Sequence, residues 1–418
     1  MEQKTILHIN TQLRSGSVTI PYRIHEGFLE QGYNSIFLTA YCDDVTNYQN
    51  VIEIPKQHLS IIVARIIRNV WYGKIMGKDT YYFFPQISMR TTSIRTILKQ
   101  IKEPPSLIIA YWTNFYFTQE LIHKISQHFH APVLYYLMDE EPYTGGCHMT
   151  FKCNGYMNGC GNCRALKVHH KKDISYRSVR KKKKWVNRTK MIPVAASSFT
   201  YERLSRSFIF EKKQKELVLL PINEHIFQPD DKVLVRKELG IPLYKKVVLF
   251  GGASFERINK GMIYLIQALG YLKEDPILNK EIHVVLIGNG QVVDRIPFEY
   301  THLGYLDTTH KIAQAYQCCD VFVCPTIQDA GPTMINEAMM CGRPVVSFDI
   351  GVARDLIVPT KTGYIAKTKN ARDLAEGIRT ILKCENLELM NQACREIAKQ
   401  KCSMSIQIDR LIELGEMV

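Results

Sequence analysis

Two carboxylates, Asp329 and Glu337, stand on either side of the run Gly331-Pro332-Thr333-Met334, and this is the most chemically informative stretch of the chain. A strand is predicted to end at Pro325, and the following loop carries Asp329. Gly331 lets the backbone approach a ligand closely, and Pro332 suits the first position of a helix. That helix is predicted to run to about Cys341, with Gly342 as its stop. Its first turn presents N–H groups from Thr333 to Ile335 that no helical carbonyl can satisfy, which makes an anion site. Glu337 lies one turn further in, and helical side chains lean back towards the N-terminus. An anion there with carboxylates beside it describes a diphosphate whose attached sugars offer hydroxyls.

A second stretch supplies positive charge. After the apolar run Val247–Phe250 come Gly251, Gly252, Ser254, Arg257 and Lys260-Gly261, followed by a helical pattern. A diphosphate gains negative charge as its bond to a sugar breaks, so a cation at this place stabilises the transition state. Gly288 and Gly290 form a turn after the strand Val284–Ile287, and Leu303-Gly304-Tyr305-Leu306 follows. In the first half, Gly16 lies in the loop after the first strand. The stretch Tyr136 to His148 carries Asp139, the run Thr144-Gly145-Gly146-Cys147 and His148. Cys147, Cys153, Cys160 and Cys163 complete the candidates. One Cys-x2-Cys pair has zinc-site spacing, so a structural zinc is the first expectation, against reduced thiols or bridges. No Asp-x-Asp pair occurs, so no cofactor is expected for catalysis; the helix dipole and Lys260 would do that work.

These residues need strands and helices behind them. Short β-rich apolar runs recur at Thr5–Ile9, Ser35–Thr39, Leu107–Ala110, Val133–Leu137, Val194–Ser197, Val247–Phe250, Val284–Ile287, Val321–Cys324 and Val345–Phe348. They read as strands of parallel sheets buried on both faces. Amphipathic stretches such as Tyr22–Gln31, Met262–Leu272, His310–Cys318 and Ala371–Lys383 lie between them. The alternation predicts a doubly wound α/β fold, and 418 residues predict two domains, with a boundary between Pro221 and Lys246. Ligands in such sheets sit at the carboxyl ends of the strands.

The formal net charge is +14, which attracts phosphorylated ligands, anionic membrane or nucleic acid. Part of it is concentrated in Arg180-Lys181-Lys182-Lys183-Lys184, read either as a solvated helix face or as a membrane-surface patch. No interleaved aromatics mark a nucleic-acid platform, so nucleic acid is not an expected partner. The start shows no signal-peptide pattern and no apolar run approaches the ~20 residues of a membrane span, so a cytoplasmic protein is expected. No full G-x-G-x-x-G occurs, which disfavours a nicotinamide dehydrogenase.

The string Asp329-x7-Glu337, Ala338-Met339, Gly342, Pro344-Val345 resembles the signature of retaining family 4 glycosyltransferases of the GT-B fold. Lys260-Gly261, Ile287-Gly288-Asn289-Gly290 and Leu303 to Leu306 resemble further segments of that family, in the same order. The resemblance implies two Rossmann-like domains around a cleft. Residues 1–222 would form an acceptor-binding domain with a cysteine-rich insertion at 147–163. Residues 223–402 would bind the nucleotide sugar, and 403–418 would be a helix crossing back to the first domain. Asp329 would face the transferred sugar, Glu337 the ribose, the amides of Thr333 and Met334 the phosphate, and the backbone near Leu306 the base. Gly16 would place an amide near the donor phosphate. Thr144 to His148 resembles the T-G-G-C-H motif of a bacterial polysaccharide branch. That implies a polysaccharide or lipid-linked oligosaccharide acceptor, at the inner face of the plasma membrane. Three positions depart from the pattern: Asp329 replaces a Glu, Ser254 an Arg that Arg257 would replace, and Met138 a His, for which Asp139 or His148 would stand in. The departures keep a second reading open, a donor-binding but inactive partner subunit of a transferase.

Overall fold

The computed structural model describes residues 4–13, 20–54, 70, 76–77, 82–84, 93–114, 116–168, 170–291 and 296–418. Gly16 lies outside them. The chain divides into two compact units: residues 1–196, 200–218 and 408–418 in one, 197–199 and 219–407 in the other.

The first unit is built on a parallel sheet. Its strands are β1 (Thr5–Leu13), β2 (Asn34–Cys42), β3 (Val51–Glu53), β4 (Leu107–Ala110), β5 (Val133–Leu137), β6 (Met191–Ala195) and β7 (Glu216–Leu217), in the order β3-β2-β1-β4-β5-β6-β7. β4, β5 and β6 are buried at every residue, as strands covered by helices on both faces must be. Helices α1 (Ile20–Glu30), α2 (Gln119–Phe129) and α3 (Ile174–Arg188) belong to this unit. Thr118 caps α2 by accepting from Leu121 N–H, and Asp173 caps α3 by accepting from Ser175 and Tyr176 N–H.

The second unit has its own parallel sheet: β8 (Lys246–Ser254), β9 (Ile282–Asn289), β10 (Tyr300–His302), β11 (Val321–Cys324), β12 (Val345–Phe348) and β13 (Gly363–Ala366), ordered β10-β9-β8-β11-β12-β13. Around it stand α4 (Met262–Lys273), α5 (Thr309–Gln317), α6 (Thr333–Met340), α7 (Ala371–Leu382) and α8 (Leu387–Cys402). The closing helix α9 spans Met404–Glu416. Its later residues pack within the first unit, where Gly415 approaches Leu107 so closely that a Cβ would sit 2.9 Å from its side chain.

Within the basic run Arg180, Lys181 and Lys184 are exposed, whereas Lys182 is turned inward. Lys182 is 1% exposed, its ammonium bonded to the Glu141 carboxylate, to Glu141 O at 2.7 Å and to Thr144 O at 3.1 Å. Arg180 lies 3.4 Å over the Tyr176 ring and donates to Gly159 O, while Lys183 sits over Phe208 and pairs with Glu211. Helical spacing turns part of a contiguous charge run inward, where packing consumes it.

Two histidines are buried in the first unit, His8 on β1 and His25 on α1. His8 Nδ1 meets Tyr111 OH at 2.8 Å; His25 donates from Nε2 to Gln49 O and accepts from Ser35 OH at Nδ1. Both are 0% exposed, and burial holds both below the usual histidine range, His25 at about 4. In the unfolded chain His25 takes a proton near pH 6.5, whereas the native site refuses it until about pH 4. The unfolded state therefore binds more protons in that window, and stability falls as pH drops through it. For His25 alone the loss is on the order of 3 kcal/mol at pH 4. Urea midpoints measured between pH 7 and pH 4.5 should fall in the wild type, and the fall should be shallower in His25→Asn. Equal slopes would exclude His25 as the cause.

Candidate active site

In the second unit the loops after β8, β9 and β11 are drawn together by glycines. Gly261 has φ +75° and opens α4; a Cβ there would lie 1.8 Å from Pro325 O, so only glycine lets the β8 loop touch the end of β11. Gly288, at φ +130°, approaches Gly252 O as closely and accepts His302 Nε2–H on its own carbonyl at 2.8 Å. Its N–H donates to Gly304 O at 2.8 Å, which ties the segment leading to the half-buried Leu306 onto the same edge.

Lys260 and Asp329 meet in this gathering. Lys260 Nζ stands 2.7 Å from Asp329 Oδ2, and the side chains are 19% and 20% exposed. Burial disfavours the ammonium, but the carboxylate beside it prevails and raises the lysine above its ordinary value, so it stays charged. Asp329 Oδ1 accepts from Gly331 N–H at 3.2 Å, which orients the carboxylate. Arg257 is exposed and close enough to act on Lys260 electrostatically. Ser254 ends β8, and its hydroxyl accepts from Glu256 N–H at 3.3 Å.

Helix α6 begins one residue later than the sequence suggests. Pro332 is its N-cap, in extended conformation, and no side chain caps the helix. Thr333 and Met334 are thus the first helical residues, and Ile335 N–H turns back to Pro332 O. A Cβ on Gly251 would come within 2.2 Å of Met334 Cε, so that glycine makes room for this helix end. Glu337, facing inward, is 4% exposed, and its Oε2 accepts from Tyr316 OH at 2.8 Å. The helix stops at Cys341 with Gly342 at φ +70°.

Sequence reasoning missed three supports. Asn259 donates to Gln328 O and its backbone carbonyl takes Ile327 N–H at 2.8 Å, joining the loop of Lys260 to that of Asp329. Asn259 Oδ1 and Gln328 Nε2 are buried without a hydrogen-bond partner, a condition that gathers where a protein meets ligand or water. Ser197 donates to Ala330 O, and Tyr316 fixes Glu337. Ser197 and Tyr316 belong to no local motif, and Asn259, although it adjoins Lys260, is bonded to Gln328, 69 residues away.

The first unit holds a separate polar group. Met138 and Asp139 follow β5, and His148 Nδ1 pairs with the Asp139 carboxylate. Its Nε2 lies 2.8 Å from Asn114 Nδ2. Burial works to lower the His148 pKa, but the Asp139 charge outweighs it and raises the value. His148 is therefore engaged with Asp139 and Asn114 and is not part of the cysteine group. Cys147, Cys153, Cys160 and Cys163 border one cavity of about 400 Å³.

Residues 231–401 match the family described as glycosyl transferases group 1. Over 188 residues, 44% of this chain, it is 28% identical to the Campylobacter jejuni N,N'-diacetylbacillosaminyl-diphospho-undecaprenol alpha-1,3-N-acetylgalactosaminyltransferase. Over 168 residues, 38% of this chain, it is 27% identical to the Bacillus subtilis TuaC, a putative teichuronic acid biosynthesis glycosyltransferase. The matched stretches span 46% and 40% of those relatives, less than half of each. Among solved structures, Anabaena HepE in complex with UDP and glucose resembles the whole chain, with a TM-score of 0.64 at 15% identity and 100% of both chains covered. Sucrose-phosphate synthase from Thermosynechococcus elongatus gives 0.62 at 14% identity, with 98% of both covered. At such identities the likeness is one of fold, the two Rossmann-like parallel-sheet units of the GT-B class. Among the described residues no helix is long and apolar enough to cross a membrane. The match falls within the second unit, so the paired Lys260 and Asp329 and the uncapped start of α6 lie in the stretch that is similar to glycosyl transferases group 1.

Proposed function

We propose that the chain transfers a sugar from a nucleoside diphosphate sugar to an acceptor hydroxyl, with retention at the anomeric carbon. The observation that carries this reading is Lys260, held charged against Asp329 next to the uncapped amino end of α6. In this reading the diphosphate lies against the amides of Thr333 and Met334, where the helix dipole favours anions. The Lys260 ammonium exchanges part of its contact with Asp329 for the phosphate, and Arg257 adds a second positive charge from the exposed side. Asp329, released towards the sugar, orients its hydroxyls. Glu337 holds the ribose hydroxyls, with Tyr316 fixing its angle. The base and sugars of the donor pass along Gly252, Gly288 and Leu306.

The bond between the anomeric carbon and the phosphate oxygen breaks, and its electron pair stays on the diphosphate. The acceptor oxygen bonds to the carbon from the same face and gives its proton to the departing phosphate oxygen. Lys260 and the helix amides stabilise the charge that develops there. No step in this route needs a metal ion. The names of two relatives, one acting on an undecaprenol-linked sugar and one assigned to teichuronic acid synthesis, favour a lipid-linked or polysaccharide acceptor, bound by the first unit.

The decisive measurement is a panel of nucleotide sugars tested for thermal stabilisation and for nucleotide release. A true donor at about a hundredfold over its dissociation constant should add about 2.7 kcal/mol to stability. No shift with any nucleoside diphosphate or its sugars would overturn the reading. Ser254 and Met138, uncharged where an arginine and a histidine would be expected, favour one alternative, a donor-binding subunit without transfer. Stabilisation by a donor with no transfer to any lipid-linked or oligosaccharide acceptor would favour it.

A further inference from the structure

The cysteine-rich segment of the first unit is unused by the transfer reaction, yet its backbone is tightly and specifically folded. Gly159 (φ +84°), Cys160 (+52°), Gly161 (+102°) and Asn162 (+48°) all take left-handed conformations in succession. Such a run coils the backbone tightly around whatever the flanking side chains enclose, and non-glycine residues adopt it only when the surroundings hold them there. The surroundings do so here. Cys160 N–H donates to Gly155 O at 2.7 Å, Asn162 N–H to His170 O at 3.0 Å, and Cys163 N–H to Asp173 Oδ2 at 2.8 Å.

The sulfurs themselves are gathered. All four cysteines line the cavity of about 400 Å³, together with Lys152 and Arg164. A Cβ on Gly155 would lie 3.5 Å from Cys153 Sγ and 4.0 Å from Cys160 Sγ, so these two sulfurs flank that glycine. The Cys147 and Cys163 thiols are close enough to act on each other electrostatically.

We propose that Cys147, Cys153, Cys160 and Cys163 bind one zinc ion, a structural site of four thiolates that ties the Gly145-Gly146 turn, the 153–163 coil and the start of α3 together. Four soft thiolates select zinc over magnesium or calcium, and Cys160-x2-Cys163 has the spacing of one half of such a site. Among the described residues no three metal-binding side chains stand at coordinating distances. Metal binding therefore draws the sulfurs closer together than they stand here. Lys152 and Arg164 in the cavity lining offset the net negative charge of four thiolates on one divalent ion. His148 follows Cys147 directly, so the metal also sets the backbone that presents the Asp139–His148 pair.

The test uses the full chain purified under reducing conditions. Elemental analysis should find about one zinc per chain that resists dialysis, with release on thiol modification. Cobalt(II) in place of zinc should give thiolate charge-transfer absorption and the intense visible bands of a tetrahedral site. Cys163→Ser and Cys160→Ser should lose the metal, while Cys42→Ser and Cys384→Ser retain it. If the first two variants fail to fold, the cobalt spectrum of the wild type still decides. Less than about 0.2 equivalents of zinc after reconstitution, an octahedral cobalt spectrum, or masses showing the four cysteines joined as disulfides would each overturn the proposal.

Discussion

Lys260→Ala should lower kcat for sugar transfer by about 10²–10³-fold while leaving the fold intact. The ammonium is paired into the loop that carries Asp329. Removing it takes away a charge that acts most strongly when the diphosphate leaves, so the loss should fall on kcat more than on donor KM. The fold survives because both partners are about one-fifth exposed, and water can solvate Asp329 in the variant. Lys260→Arg should recover part of the rate, since it keeps the charge but not the point geometry of an ammonium. Steady-state nucleotide release with wild type and both variants checks this, alongside circular dichroism. A Lys260→Ala enzyme with unchanged kcat would remove the lysine from the mechanism.

Glu337→Gln is expected to cost about 10- to 100-fold in kcat/KM, the value of a hydrogen bond to a charged group, about 1.5–3 kcal/mol. The glutamine keeps an oxygen to accept from Tyr316 OH, so stability should change little. Tyr316→Phe gives the complementary outcome: it leaves the buried carboxylate oxygen without that donor and should cost about 1–3 kcal/mol of stability. Urea unfolding and donor kinetics on the two variants separate the roles. If Glu337→Gln bound and turned over donor as the wild type does, the carboxylate would be a packing group of α6 alone.

Much of the fold is legible in the sequence. Buried strands declare themselves as uninterrupted apolar runs, and the reading of Val133–Leu137, Leu107–Ala110, Val321–Cys324 and Val345–Phe348 agrees with β5, β4, β11 and β12 to the residue. The helices α4 and α7 are legible to within a residue or two for the same reason: their apolar faces repeat at helical spacing. The short edge strands β3, β7, β10 and β13 carry no such signal, because two to four residues, few of them buried, are held by one neighbouring strand instead of by their own composition.

The chemistry divides along a similar line. Local sequence determined which residue types could bind a diphosphate, since a glycine–proline helix start, a lysine before a glycine and two spaced acids are properties of contiguous segments. Tertiary structure decided which of them meet. It brought Lys260 to Asp329, turned Glu337 inward to Tyr316 and spent Lys182 on Glu141. The physical reason is that burial and pairing depend on elements far apart in the chain. A charge in a sequence has no address until the sheet, through close approaches such as Gly261 to Pro325, decides what stands opposite it.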